Sequence, residues 1–273
     1  IRFYLKFKDI SDFIRIGSYQ VGAMIMDFIA NKVDVFILGK VLGMEHLGIY
    51  NLAKEFILKI YAIFVSISRN VASASFAKIQ NNTAKLIDFF SKFSTLYAFV
   101  IVPCFCLVYL FPGEFSSIMY GDKANFITHP LMILSIYGVF TALCVPSSAL
   151  IIALGKTNLS LRWTIICAIV NSSGVIISSR WGFQAILLTQ IIISILLYIL
   201  NWVLNVKPMI GMSLREYIRA QYASVLIAIP FIALIKLLGQ IVPNSKIWVV
   251  VFSLCFCLLY LATTMAVNKI SPK

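Results

Sequence analysis

Apolar runs of about twenty residues recur along the whole chain, each closed by a short polar connector. A helix crossing the ~30 Å hydrocarbon core of a bilayer needs about that length. Eight runs qualify, at about 13–38, 48–77, 86–111, 131–154, 159–179, 184–206, 222–241 and 247–267. They are too long, and alternate too little, for the ~10-residue strands of a barrel. Composition points the same way: 12% of residues are charged and 61% are hydrophobic. A soluble domain carries about 25% charged residues, and half of that cannot cover a surface facing water. The expected fold class is therefore an all-α integral membrane protein with about eight transmembrane helices. Pro103 and Pro146 predict kinks in the third and fourth spans. Residues 213–219 read as a short amphipathic stretch before the seventh.

The net charge of +13 invites a nucleic-acid reading, but its distribution argues against one. Lys and Arg gather in alternate connectors, as the positive-inside rule requires. The N-terminal arm (Arg2, Lys6, Lys8, Arg15) is basic. So are the second, fourth and sixth connectors (Lys78, Lys85, Lys92; Lys156, Arg162; Lys207, Arg215, Arg219) and the tail (Lys269, Lys273). The opposite connectors hold Lys40, Lys123, Arg180 and Lys246, with Lys236 close by. This bias predicts an even number of spans with both termini cytoplasmic. Beside those cations the outer connectors hold Glu45, His46, Glu114, Asp122 and His129, and each connector is short. No metal-ligand spacing, Ser–His–Asp set or Gly-rich phosphate loop is present, so no catalytic or metal site is assigned. The cysteines lie inside apolar runs; in Cys104/Cys106 and Cys255/Cys257 the two thiols point ~200° apart on a helix.

The first two spans carry polar stripes. In span one, Gln20, Asp27, Asn31 and Asp34 fall within ~60° of one another on a helical wheel, with Lys32 off the stripe. In span two, Asn51, Glu55, Lys59, Ala62, Ser66, Arg69, Asn70 and Ser73 share a ~100° face, with Lys54 to one side. A charged side chain in hydrocarbon costs about 2.5–3.5 kcal/mol on insertion scales. Such stripes should therefore face a wet cavity or another helix. Counting ~1.5 Å per residue from opposite faces puts Asp27 and Lys59 both near the midplane, and they are expected to interact. The structural alternative has Glu55 and Lys59 neutralise each other one turn apart, while Lys54 and Arg69 snorkel to the interfaces. A cationic surplus made of Lys32, Lys54, Lys59 and Arg69 suits a phosphate or pyrophosphate, which Arg binds by two parallel bonds and Lys as a point charge. Asp27 and Asp34 are candidates for a coupling proton or Na+. Asn171, Ser172 and Ser173 in span five read as polar glue between helices.

The order of several short motifs resembles the polysaccharide exporters of the MOP superfamily, the Wzx-type flippases. Residues 34–53 run D-V-F-I-L-G-K-V-L-G-M-E-H-L-G-I-Y-N-L-A. That resembles the family's Asp near the end of a first span, followed by L-G, L-G and G-x-Y-x-x-A. Ser68-Arg69-Asn70, Ala77-Lys78-Ile79-Gln80, Pro103, Tyr120-Gly121, Leu154-Gly155-Lys156-Thr157 and Trp181-Gly182-Phe183-Gln184-Ala185 follow in family order. Val71-Ala72-Ser73-Ala74 stands where the family often has a proline, which leaves the local bend open.

The resemblance covers most of 1–206 and implies one six-helix lobe of a two-lobe transporter there, with 207–273 forming two additional C-terminal transmembrane helices. It implies an N-terminal lobe absent from this chain. It also implies a bacterial inner-membrane flippase that moves an undecaprenyl-pyrophosphate-linked saccharide between leaflets by alternating access, not an enzyme, with the bilayer and the lipid-linked oligosaccharide as partners. Under that reading Arg69, Lys59, Lys54, Lys32, Asn31 and Asn70 line the substrate cavity. Asp27, Asp34 and Glu55 are the ion-coupling candidates, with no cofactor beyond a coupling H+ or Na+. The alternatives are a MATE-like cation-coupled drug exporter, which would want acidic and aromatic cavity walls, and a polytopic polysaccharide-modifying enzyme, which would want a catalytic His or carboxylate at a membrane face.

Overall fold

The computed structural model describes residues 7–121 and 124–239, and all of its regular structure is helical. Outside the described residues lie the expected eighth span and the side chains of Gln20, Asp27, Asn31 and Lys32. Helix Phe7–Lys78 is continuous except at Gly43, whose φ of 84° and ψ of 171° suit a residue without a Cβ. Gly43 divides it into α1 (7–42) and α2 (44–78). The two halves fold back on each other. Asp34 touches Tyr50 and Lys54, and a Cβ on Gly39 would lie 3.0 Å from Leu47. On one straight helix, residues twenty positions apart would be separated by ~30 Å. The chain thus makes an antiparallel hairpin, and the expected connector of some nine residues shrinks to a single glycine.

The remaining helices are α3 (Thr83–Leu110), α4 (Pro112–Tyr120), α5 (Ala124–Leu143), α6 (Val145–Ala153), α7 (Thr157–Ser178), α8 (Phe183–Asn201), α9 (Lys207–Ile210) and α10 (Leu214–Gly239). A π-helical turn, Trp202–Val206, joins α8 to α9. Among the described residues, five stretches are long and apolar enough to cross a membrane: Val33–Lys78, Thr83–Leu110, Ala124–Ala153, Thr157–Trp181 and Phe183–Ile210. The first of these contains the Gly43 turn. The chain is an all-α integral membrane protein.

Local signals explain several boundaries. Asn82 caps α3 by accepting from the Lys85 N–H at 3.0 Å. Ser213 and Glu216 form a capping box at the start of α10, with Ser213 N donating to the carboxylate at 3.0 Å and Glu216 N donating to Ser213 Oγ at 3.2 Å. The amphipathic stretch expected at 213–219 is therefore the first turns of α10. The fourth span breaks at Cys144, one residue before α6 begins, as Pro146 predicted. Pro103 leaves α3 unbroken. Two expectations are corrected. Residues 112–120, expected as loop, form α4. The next helix begins at Ala124, seven residues before the expected 131, so His129 lies in α5 and not in a connector. Pro130 looked like a boundary, but a membrane helix tolerates proline where neighbours satisfy the freed backbone.

Aromatic and small residues build the core. Phe76 of α2 meets Phe89 of α3 edge-on, with ring centroids 4.9 Å apart. Gly138 of α5 lets α2 and α3 close in, because a Cβ there would lie 2.5 Å from the Phe105 ring and 2.9 Å from Ile57. On the far side, α7 packs along α1, where Gly22 faces Leu161. α10 docks on α3 through Thr95 Oγ1, which donates to the Ala220 carbonyl at 2.7 Å.

Candidate transport-path residues

The α1–α2 hairpin holds an ion pair in its interior. Asp34 is 2% exposed and Lys54 is 7% exposed. Lys54 Nζ donates to Asp34 Oδ2, and Tyr50 OH donates to the same oxygen at 3.1 Å. The other carboxylate oxygen accepts from the Val35 N–H at 2.8 Å. Lys54 Nζ also lies 5.6 Å from the Tyr50 ring centroid. Leu38, Tyr50, Ala53 and Ile57, all nearly inaccessible, form the surrounding core. Lys54 was expected to line the substrate cavity or, on the structural alternative, to snorkel. In the structure it is buried against Asp34. Its position ~100° from Glu55 turns it toward α1, where Asp34 compensates its charge.

The opposite side of α2 is open. Glu55, Lys59, Ala62, Ser66, Arg69 and Asn70 are exposed, whereas Ala53, Phe56, Ile57, Ala72 and Phe76 are buried. The open face has two halves. Counting from Glu55 at 100° per residue, Lys59, Ser66, Arg69 and Asn70 fall between about −40° and +60°. Ile63, Ile67 and Val71, 52–60% exposed, fall between about +80° and +160°. A polar strip thus runs beside an apolar one along the same helix. Lys59, Arg69 and Asn70 have no hydrogen-bond or ion-pair partner among the described residues, and Glu55 and Lys59 do not pair with each other. Tyr120, at the end of α4 outside the spans, donates to the Leu52 carbonyl at 2.9 Å. Burial, and then the nearby Glu55 carboxylate, pushes its phenol above the ordinary range.

The structure brings Asp34 and Lys54 together and sets Lys59, Arg69, Asn70 and Glu55 on one open face. The expected Asp27–Lys59 contact, and the cavity roles of Lys32 and Asn31, fall outside the described side chains. Two features escaped the sequence reading. One is Tyr50, which sits one turn before Lys54 within the G-x-Y-x-x-A motif. The other is a neutral network at the α5–α6 break. Asn201 Nδ2 donates to Ser147 Oγ at 2.8 Å and to Tyr217 OH at 3.2 Å, and Asn205 Nδ2 donates to Asn201 Oδ1 at 2.8 Å. Gln221 Nε2 donates to the Leu143 carbonyl at 3.1 Å, and Gln221 Oε1 accepts from Tyr198 OH at 2.8 Å. The glue expected of Asn171 and Ser173 is not between helices: both side chains donate to carbonyls of their own helix, α7.

This arrangement of helices is the fold of a membrane flippase. A structure described as "Lipid II flippase MurJ, inward closed conformation" matches 98% of this chain and 57% of its own, with a TM-score of 0.73 at 13% sequence identity. Residues 1–125 match the family described as "Polysaccharide biosynthesis protein". The amylovoran biosynthesis protein AmsL of Erwinia amylovora is 26% identical over 82% of this chain and 58% of its own length. The lipopolysaccharide biosynthesis protein WzxC of Escherichia coli (strain K12) is 22% identical over 85% of this chain and 47% of its own. These similarities agree with the resemblance of its motifs to the polysaccharide exporters of the MOP superfamily. It spans about half the length of the curated relatives it matches.

Proposed function

We propose that the chain is the C-terminal part of a flippase that carries an undecaprenyl-pyrophosphate-linked saccharide from the inner to the outer leaflet of a bacterial inner membrane. The observation that carries this reading is the open polar strip of α2. Lys59 and Arg69 stand on it without partners among the described residues, and against lipid each would cost about 2.5–3.5 kcal/mol. Against a hydrated cavity shared with a preceding lobe, the cost falls away and the cations can engage a doubly anionic headgroup. Asn70 extends that surface and Glu55 balances its charge and couples it to an H+ or Na+ gradient, roles the sequence pattern also gives to Asn31 and Lys32 and to Asp27 respectively. Exposure of the strip alternates between the two sides of the membrane as the lobes rock, with both termini remaining cytoplasmic. Residues 1–206 act as the lobe and 207–273 as the two added helices. The chain transports and does not catalyse. The cationic balance of the strip disfavours a drug-cation exporter.

The test uses the full-length parent protein in its own cell. Arg69→Ala and Lys59→Ala should each lower surface saccharide at least ~10-fold, the loss of one charged hydrogen bond, with protein amount unchanged. Unchanged saccharide at normal protein amount removes the strip from the substrate path.

A further inference from the structure

The hairpin interior contains a second charged site, and its asymmetry sets it apart from a simple structural pair. Asp34 has three donors: the Val35 N–H, Tyr50 OH and Lys54 Nζ. Among the described residues, Lys54 has one acceptor, Asp34, and beyond it the Tyr50 ring. If the two separate, Asp34 keeps two hydrogen bonds, while Lys54 loses its only acceptor. The lysine is therefore the member free to leave. A buried ion pair adds little to stability, because desolvation offsets the attraction and well-packed apolar residues serve as well. Its presence in the apolar heart of the hairpin calls for a reason other than holding the helices together.

The surroundings give Lys54 somewhere to go. Asn51, one turn before it, is half-buried, and Glu55, next to it, is exposed on the open face. Lys54 thus sits at the border between the packed side of α2 and the polar strip, on a flexible four-carbon stem. We propose that Lys54 is a releasable charge: it rests on Asp34 when the strip is empty and swings to an anionic phosphate or pyrophosphate group bound there, while Tyr50 and the Val35 N–H hold the vacated carboxylate. An incoming anion would then compete with Asp34 for one cation, and the two helices of the hairpin would be coupled to occupancy of the strip. Tyr50 is a positioning residue in this scheme, since it acts only through Asp34.

This inference rests on the transport reading. Its test again uses the full-length parent, scored as surface saccharide per folded molecule. The doubly neutral variant Asp34→Asn/Lys54→Met removes both charges together and so strands neither. It should keep a melting temperature close to the parent's and lose at least ~10-fold in export, the worth of one charged hydrogen bond. Tyr50→Phe removes a single hydroxyl and keeps the pair. It should lower export per folded molecule several-fold, because the carboxylate left by the departing lysine is less well held. The swap Asp34→Lys/Lys54→Asp should restore the melting temperature but not export, since the cation now sits on α1. Parental export per folded molecule in the swap, or in the doubly neutral variant, would show a pair that only sets helix register and would overturn the proposal. Should the doubly neutral chain fail to fold, Tyr50→Phe decides by the same measure. Failure of the transport reading looks different: deleting the parent gene, or Arg69→Ala, would then leave surface saccharide intact.

Discussion

The α1–α2 hairpin and the junction of α5, α6, α8 and α10 both place polar side chains in a membrane protein, and they do it in opposite ways. At the junction, Ser147, Asn201, Asn205, Tyr217 and Gln221 are 0–3% exposed and uncharged; the first four are joined by hydrogen bonds through Asn201, and Gln221 accepts from Tyr198 OH. Gln221 even reaches the Leu143 carbonyl beside the Cys144 break. On the open face of α2, Lys59 and Arg69 are charged, exposed and without a hydrogen-bond or ion-pair partner among the described residues. Buried polar groups that are fully satisfied fix one geometry. Charged groups left without partners on a membrane helix mark a path. The same residue class thus serves architecture in one region and transport in the other. The difference shows in hydrogen-bond satisfaction, which polarity alone does not reveal.

The contrast breaks first, and with the largest effect, at Asn201. Asn201→Leu strips a donor or acceptor from Ser147, Asn205 and Tyr217 at once, all of them buried. Leaving such groups unpaired costs about 1–3 kcal/mol each. The full-length protein should lose about 3 kcal/mol, read as a lower melting temperature in nanodiscs. Export per folded molecule should stay at the parental value; a selective loss of export would put this network in the transport path. Gln221→Leu follows at about 2 kcal/mol, because the Leu143 carbonyl and Tyr198 OH both lose their partner. Tyr120→Phe should cost about 1 kcal/mol, the worth of its bond to the Leu52 carbonyl, with the same readout.

How far the sequence carries the fold follows from the same division. Apolar run length locates most spans to within a few residues, and the Pro146 break follows from proline chemistry. The hairpin is also legible, since the expected spans 13–38 and 48–77 are centred on Gly43. Its tightness is not, because three L-G dipeptides, ending at Gly39, Gly43 and Gly48, offer several turn positions. The open strip could be read because insertion energy penalises charge at every depth. The Asp34–Lys54 pair could not, since a wheel sorts Lys54 as off-stripe and says nothing about which neighbour covers that side. The junction network left almost no trace. Ser147 lies on α6, Asn201 on α8, and Tyr217 and Gln221 on α10, and only tertiary packing brings these three helices together.

The finest test of the contrast lies within α2 itself, at two neighbouring residues with almost no effect on stability. Ser66 stands on the polar half of the open face and Ile67 on the apolar half, and both are exposed. If the polar half lines water and the apolar half meets lipid, their chemistry should differ despite equal exposure. Ser66→Cys and Ile67→Cys, each in a full-length background with the six cysteines of this chain and any others replaced by alanine, should shift stability by less than ~0.5 kcal/mol. Maleimide reacts with the thiolate, which forms in water and is suppressed in apolar surroundings. A membrane-impermeant maleimide should label the protein carrying Ser66→Cys at least ~10-fold faster than that carrying Ile67→Cys. Saturating lipid-linked saccharide should slow the first reaction and leave the second unchanged. Equal labelling at both positions would mean that the whole face is wet, or wholly in lipid, and the polar strip would lose its claim to a path. Faster labelling at 67 would reverse the assignment of the two halves and move the search for the path to the side of Ile63 and Val71.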